Sequence, residues 1–355
     1  MKLFSCPACG QIVFFGNVRC ERCGVDLGYE PATNVMVALR AAGDHQVASA
    51  GRHAGTAWRY CANHGYDVCD WLLPAEAAES LCRACRHNVT IPDPGQPQSL
   101  ALWRKVEDAK HRLLYTILRL GLPLFDRGAR PDGLGFEFLR SDDPKHQVMT
   151  GHAGGLITIA LDEAIDAERE HRRTKLGEPY RTLLGHFRHE VGHWYWDQLV
   201  QTTRWREPFV QLFGDPSQDY SAALQRHYAD GPRPGWQDEL ISAYAGAHPW
   251  EDFAETWAHY FHMVDTLETG GSYGIVLSPR ADRDQVLSTA LDFKIYEPGL
   301  ELATLVDAWI ALSAALNSFN RSMGLADAYP FVLSPRVIEK LGFIHALIRD
   351  PRPAA

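Results

Sequence analysis

All eight cysteines of this 355-residue chain fall within its first 85 positions, and the rest of the sequence has none. Such a chain is expected to join two kinds of domain, a front held by thiolates and a larger part that must bury an ordinary apolar core. The first thiols form two knuckles, Cys6-Pro-Ala-Cys9-Gly and Cys20-Glu-Arg-Cys23-Gly, ten residues apart. Two cysteines three positions apart can aim both sulfurs at one ion, and the glycine that follows permits the tight turn, so Cys6, Cys9, Cys20 and Cys23 are expected to close a zinc ribbon. The intervening Gln11–Val18 should supply its strand-rich arm. A redox CxxC is the competing reading; two knuckles without a βαβ pattern favour metal. In the second cluster seven residues lie between Cys61 and Cys69, and Cys82-Arg-Ala-Cys85 follows. These four are expected to hold a second ion, with Cys61, His64, Cys82 and Cys85 as the next set and buried free thiols as the third reading.

Three segments follow: a zinc ribbon over 1–28, a second zinc-binding region over 29–95, and one large domain over 96–355 beyond the linker at Pro92–Pro97. With 46% hydrophobic and 22% charged residues the composition is that of a globular chain, which excludes disorder and a coiled coil. No uninterrupted apolar run approaches the roughly 18–20 residues of a membrane span, the longest, Leu113–Phe125, being broken by Arg119. The start reaches Cys6 before any apolar stretch, so no secretory leader, a cytoplasmic location and no membrane partner are expected. Net charge is −9, and residues 1–95 hold 8 basic against 9 acidic side chains. Ionising eight thiols around two divalent ions would take that region from −1 to −5, so nucleic acid is not an expected partner.

Periodicity predicts a helix over Ser99–Leu120, β character over Gly133–Leu139 and Val148–Leu161, and helices beyond, with a Pro- and Gly-bearing interruption from Gly214 to Trp236. Within the helical part stands His189-Glu-Val-Gly-His193. At about 100° per residue the two imidazoles lie about 40° apart and Glu190 falls beside them, whereas Leu184, Phe187, Val191 and Trp194 gather on a separate apolar face. One face can thus hold a metal while the other is buried. Gly192 costs roughly 1 kcal/mol of helix propensity, which is rational where another backbone or the substrate comes close.

Two histidines leave a catalytic zinc one protein ligand short. Trp196 and Leu199 occupy the positions where a metzincin has glycine and histidine, which excludes that class. The third ligand is expected in His248-Pro-Trp-Glu-Asp-Phe-Ala-Glu255, where Pro249 suits a first helical turn and Glu251, Glu255, His259 and His262 share one face. Glu251 is assigned as the ligand and Glu255, one turn later, as the carboxylate that holds a ligand imidazole by its other N–H. The reverse assignment stays open, as do His259 and His262.

The sequence resembles bacterial zinc-binding metallopeptidases that join an N-terminal zinc-ribbon region to a gluzincin-like catalytic domain. The likeness rests on the two knuckles, Cys82-Arg-Ala-Cys85 with Thr90-Ile-Pro-Asp93, Thr150-Gly-His-Ala-Gly-Gly-Leu156, Phe187-Arg-His-Glu-Val-Gly-His193 and His248-Pro-Trp-Glu-Asp-Phe-Ala-Glu255. It implies an α+β chain whose small zinc-ribbon modules precede a mostly helical zincin-like domain with a small antiparallel or mixed sheet. The last segment is also similar to the catalytic domain of the anthrax lethal factor type, in which a tyrosine stands seven residues before the Glu ligand. Tyr244 matches it, as a donor to the oxyanion or the leaving amine, with core packing as the rival reading.

The resulting expectation is a zinc peptidase with one catalytic and two structural Zn²⁺, Glu190 as general base and a peptide or protein as substrate. The ribbon would serve a protein partner. A ribbon adaptor with an inactive zincin domain and a zinc hydrolase of non-peptide amides are the alternatives. His152 and His248 are weaker candidates for the cleft. Strand Leu156–Leu161 is either an edge for an extended peptide or a core strand.

Overall fold

The computed structural model describes residues 2–140, 148–169 and 182–350. The chain divides into two compact units, Met1–Arg169 and Glu170–Ala355. The first takes in the linker at Pro92–Pro97 and the helix and strands after it.

The first unit opens with a hairpin of two short strands, β1 (Phe4–Ser5) and β2 (Ile12–Val13), with the Cys6–Cys9 knuckle in the turn between them. The strand-rich arm expected over Gln11–Val18 is thus only two residues long. Then comes a five-stranded antiparallel meander, β3 (Asp26–Glu30), β4 (Val35–Ala42), β5 (His45–Ala48), β6 (Ala57–Tyr60) and β7 (Leu72–Pro74). Sequence reading assigned this stretch only to zinc binding. Part of its inner layer is Val37, Leu39, Ala48, Trp58 and Leu72. Gly28 must lack a side chain, since a Cβ there would sit 2.5 Å from Leu72 Cδ2.

Helix α1 (Pro97–Arg119) matches the predicted helix within two residues and buries Trp103, Val106, Leu113, Leu114 and Ile117. The second sheet of this unit runs β10 (Gly151–Ala153), β11 (Leu156–Ala160), β9 (Gly135–Leu139), β8 (Asn88–Thr90). It is mixed: β11 runs parallel to β9 and antiparallel to β10. Because β11 is paired on both sides, it is not the edge that the peptide-pairing reading required. Its Ile157 and Ile159 are fully buried. His152, in β10, accepts the Gly155 amide through Nε2 at 3.1 Å and so ties down the turn of the β10–β11 hairpin.

The described part of the second unit is mainly helical: α2 (Leu183–Leu199), α3 (Arg206–Phe213), α4 (Tyr220–Asp230), α5 (Pro249–Ser272), α6 (Leu302–Ser322) and α7 (Pro335–Arg349). Helix α4 lies inside the stretch expected to be an interruption. Its flanking prolines and glycines hide an 11-residue helix capped by Asp219, whose Oδ1 accepts the Ala222 amide at 2.9 Å. Helix α5 is the axis of the unit, with Phe253, Trp257, Tyr260 and Phe261 all fully buried. Lys340 of α7 anchors its first turn through a buried pair with Asp252 at 2.6 Å. By length and composition α6 is long and apolar enough to cross a membrane, which a search for unbroken apolar runs does not reveal. Here Leu305, Trp309 and Leu312 of its first turns are buried in the protein.

Candidate metal centre

Thr182 starts α2, its Oγ1 accepting the Gly185 amide at 2.9 Å, and His248 starts α5, its Nδ1 accepting the Trp250 amide at 3.1 Å. Pro249 fills the first turn of α5 as expected. The two helices meet at Gly192, where a Cβ would lie 3.1 Å from Ala254 Cα and 3.3 Å from Trp257 Cβ. The propensity cost of that glycine is therefore offset by the approach of a second backbone, which brings the metal-facing sides of both helices together. Gly192→Val should overpack this contact at a cost of about 1–3 kcal/mol. At about 2–4 °C per kcal/mol the melting temperature should fall by several degrees. A thermal scan matching wild type would show the approach is not tight.

Three donor atoms converge there. His189 Nε2 lies 2.9 Å from Glu251 Oε2, His193 Nε2 lies 3.5 Å from the same oxygen, and the two Nε2 atoms are 3.2 Å apart. A tetrahedral ion with bonds of about 2.0–2.1 Å needs donor separations of about 3.3 Å. Glu251 is 1% exposed, and among the described residues its Oε2 faces the two imidazole nitrogens without a further hydrogen-bond partner. Burial opposes its charge, but His193 and His189 hold the carboxyl well below the usual range. A divalent cation fits this donor set.

Glu255 stands on the far side of His189. Its Oε1 accepts from Nδ1 at 2.7 Å and its Oε2 accepts from Ser242 Oγ at 2.6 Å. Both oxygens are thereby used, and the imidazole is left presenting the Nε2 lone pair to the triad. The fourth oxygen of the two glutamates, Glu251 Oε1, accepts from Tyr220 Oη at 2.6 Å. Sequence reading missed Tyr220 and Ser242; Asp219 as a helix cap was the available signal for the first, and none marks the second.

Glu190 follows His189 on α2, is partly exposed and makes no hydrogen bond or ion pair among the described residues. Its charge acts on the hydroxyls of both Tyr220 and Tyr244. The Tyr244 ring lies 5.9 Å from that of His189. Burial, followed by Glu251, raises both hydroxyls far above their ordinary range, so each remains a protonated donor. His259 and His262 lie elsewhere on α5. His259 Nδ1 meets Tyr329 Oη at 2.8 Å, His262 stacks on the same ring, and burial holds His259 down to about 4.

In the first unit the cysteines form two groups of four, Cys6, Cys9, Cys20, Cys23 and Cys61, Cys69, Cys82, Cys85, all of them free thiols. Sulfur separations of 3.8 Å (Cys6–Cys23), 3.6 Å (Cys9–Cys20) and 3.6 Å (Cys69–Cys82) suit tetrahedral zinc, for which bonds of about 2.3 Å imply edges of about 3.8 Å. Gly10 and Gly24 adopt positive φ of 74° and 73°, closing the two knuckle turns. His64 is turned away from the second group. Its Nδ1 meets the Cys69 carbonyl at 2.9 Å and its ring stacks on Tyr60 at 3.8 Å.

In comparison with known proteins, two family models match the chain and meet inside the first compact unit. A family described as "Putative zinc-binding metallo-peptidase" matches residues 99–347, and a zinc-ribbon domain matches residues 3–96. Relatives from Mycobacterium bovis and Mycobacterium tuberculosis, both called uncharacterized proteins, are each 40% identical over 356 residues, covering 99% of this chain and 97% of theirs. No solved structure matches the chain.

Proposed function

We propose that this chain, which belongs to the family of putative zinc-binding metallo-peptidases, is a zinc-dependent peptidase whose second unit carries the catalytic centre. The observation that carries this reading is the convergence of His189, His193 and Glu251, with Glu190 next to His189 on the same helix. A closed structural site would need a fourth protein ligand; among the described residues three donors converge here.

His189, His193 and Glu251 would hold the ion, and Cys6, Cys9, Cys20, Cys23 and Cys61, Cys69, Cys82, Cys85 two structural zincs. When bound, the catalytic ion supplies Lewis acidity, lowering the pKa of water towards about 7 and polarising a carbonyl. Glu190 takes the proton of the attacking water and passes it to the departing amide nitrogen, so that one carboxylate serves as base and then acid. Tyr244 donates to the carbonyl oxygen as it gains charge. Glu255 fixes the tautomer of His189, and Tyr220 fixes one oxygen of Glu251 so that the other faces the site.

Metal analysis should find three zinc ions per chain, one of them removed first by a chelator, and the zinc-loaded protein should cleave members of a peptide library. Two zincs, both resistant to chelation, would remove the catalytic site. A full third site with no cleavage would leave a ribbon protein with an inactive centre.

A further inference from the structure

Beside the metal triad lies a cavity of about 500 Å³ bounded by Trp196, Asp197, Arg206, Tyr220, His248 and Trp250. It shares two of its walls with the site. Tyr220 donates to Glu251 at 2.6 Å, and the Trp250 ring lies 4.0 Å from that of His193. A substrate whose carbonyl reaches the triad therefore places a neighbouring group in this cavity. We propose that the cavity is a carboxylate-binding subsite in which Arg206 reads an acidic group next to the cleaved bond, an inference that rests on the peptidase reading above.

Trp196, Tyr220, His248 and Trp250 supply the ring-bearing walls. Trp196 and Trp250 meet edge to face at 6.3 Å, as do Tyr220 and Trp250 at 5.8 Å. Both ring nitrogens of His248 are engaged, Nδ1 by the Trp250 amide and Nε2 by the Gln218 carbonyl. Two charges remain. Asp197 lies one turn after His193 on α2, and burial pushes its carboxyl up to about 6, with His193 opposing the rise. Arg206 is the one basic side chain among the cavity's described lining residues. Its guanidinium lies 5.3 Å over the Trp196 ring and makes no hydrogen bond or ion pair among the described residues. Asp215, whose charge it feels, already accepts from the Ser217 amide at 2.9 Å and Ser217 Oγ at 2.8 Å.

A guanidinium supported on an aromatic face keeps its donors in a fixed plane and takes a carboxylate through two parallel N–H bonds. The partly apolar enclosure strengthens that pair relative to open water. The carboxylate has two sources, a Glu or Asp side chain beside the scissile bond or the free C-terminus of a short peptide.

The test uses peptides that differ only in Glu, Gln or Lys next to the cleaved bond, each as C-terminal acid and amide. They are measured for cleavage by the zinc-loaded protein, and for binding to zinc-loaded Glu190→Gln through the fluorescence of its tryptophans. The expected result is a preference of at least about tenfold for the carboxylate-bearing peptide in both readouts. It should collapse towards one in Arg206→Gln and invert towards Lys in Arg206→Glu. Dependence on Glu with indifference to amidation assigns the side chain; loss on amidation alone assigns the C-terminus. Preference for Lys, or a carboxylate preference that survives Arg206→Gln, overturns the subsite. Discrimination in binding without any cleavage would keep the subsite and remove the peptidase reading, whereas cleavage without discrimination does the reverse.

Discussion

Glu190→Gln is expected to lower peptide hydrolysis by about 10²–10⁴-fold while leaving all three zincs in place. The substitution keeps the shape of the side chain and removes only its ability to accept a proton. Glu190 makes no hydrogen bond or ion pair among the described residues, so its loss leaves no buried partner unsatisfied and the fold should tolerate it. A thousandfold loss corresponds to about 4 kcal/mol of barrier, more than a disturbed surface carboxylate would produce. The comparison requires steady-state rates on one cleaved peptide, with zinc content and melting temperature measured on the same preparations. Equal rates for the two proteins would take the general base away from Glu190. A loss of rate accompanied by loss of zinc would make it a structural residue of the site instead.

The chemistry of the centre was more legible in the sequence than its surroundings. The spacing of His189 and His193 survives any detail of packing, because a helix alone puts residues four apart on one face. Helix periodicity likewise put Glu251 and Glu255 on one face of α5 but did not rank them; in the structure Glu251 meets His189 Nε2 and Glu255 meets its Nδ1. Gly192 was legible as a close approach, though not which backbone approached. Tyr220 was hidden because Pro and Gly on either side of α4 read as a break, and because the contact of an exposed helix start with Glu251 is purely tertiary. The meander of the first unit was hidden for a different reason. The cysteine spacing there invited a local, metal-centred reading, while the alternation of Val35, Val37 and Leu39 passed unused. Strand β11 shows the limit of periodicity: apolar residues at every second position mark a strand, but whether it lies at an edge depends on β9 and β10, which pair with it from both sides.

Zinc affinity should separate the two glutamates and the tyrosine that surround the ion. Glu251→Gln removes an anionic ligand and a buried charge that two imidazoles stabilise, so the easily chelated zinc should be lost outright or bound with the largest fall in affinity of the three. Glu255→Gln retains an acceptor for His189 Nδ1 but gives up the charge, and Tyr220→Phe frees Glu251 Oε1 from the tyrosine hydroxyl. Each acts on a ligand rather than on the ion, and outer partners of this kind cost about 10–100-fold in metal affinity. Competition with a chromophoric chelator reads the affinities directly, with the eight-cysteine background taken from the slow fraction of the same titration. If Glu255→Gln loses more zinc than Glu251→Gln, the two carboxylates exchange roles and Oε1 of Glu255 would have to leave His189 to reach the ion. If Tyr220→Phe binds zinc as tightly as wild type, its bond to Glu251 does not orient the ligand. The hydroxyl would then belong with Tyr244, as a second donor facing the substrate.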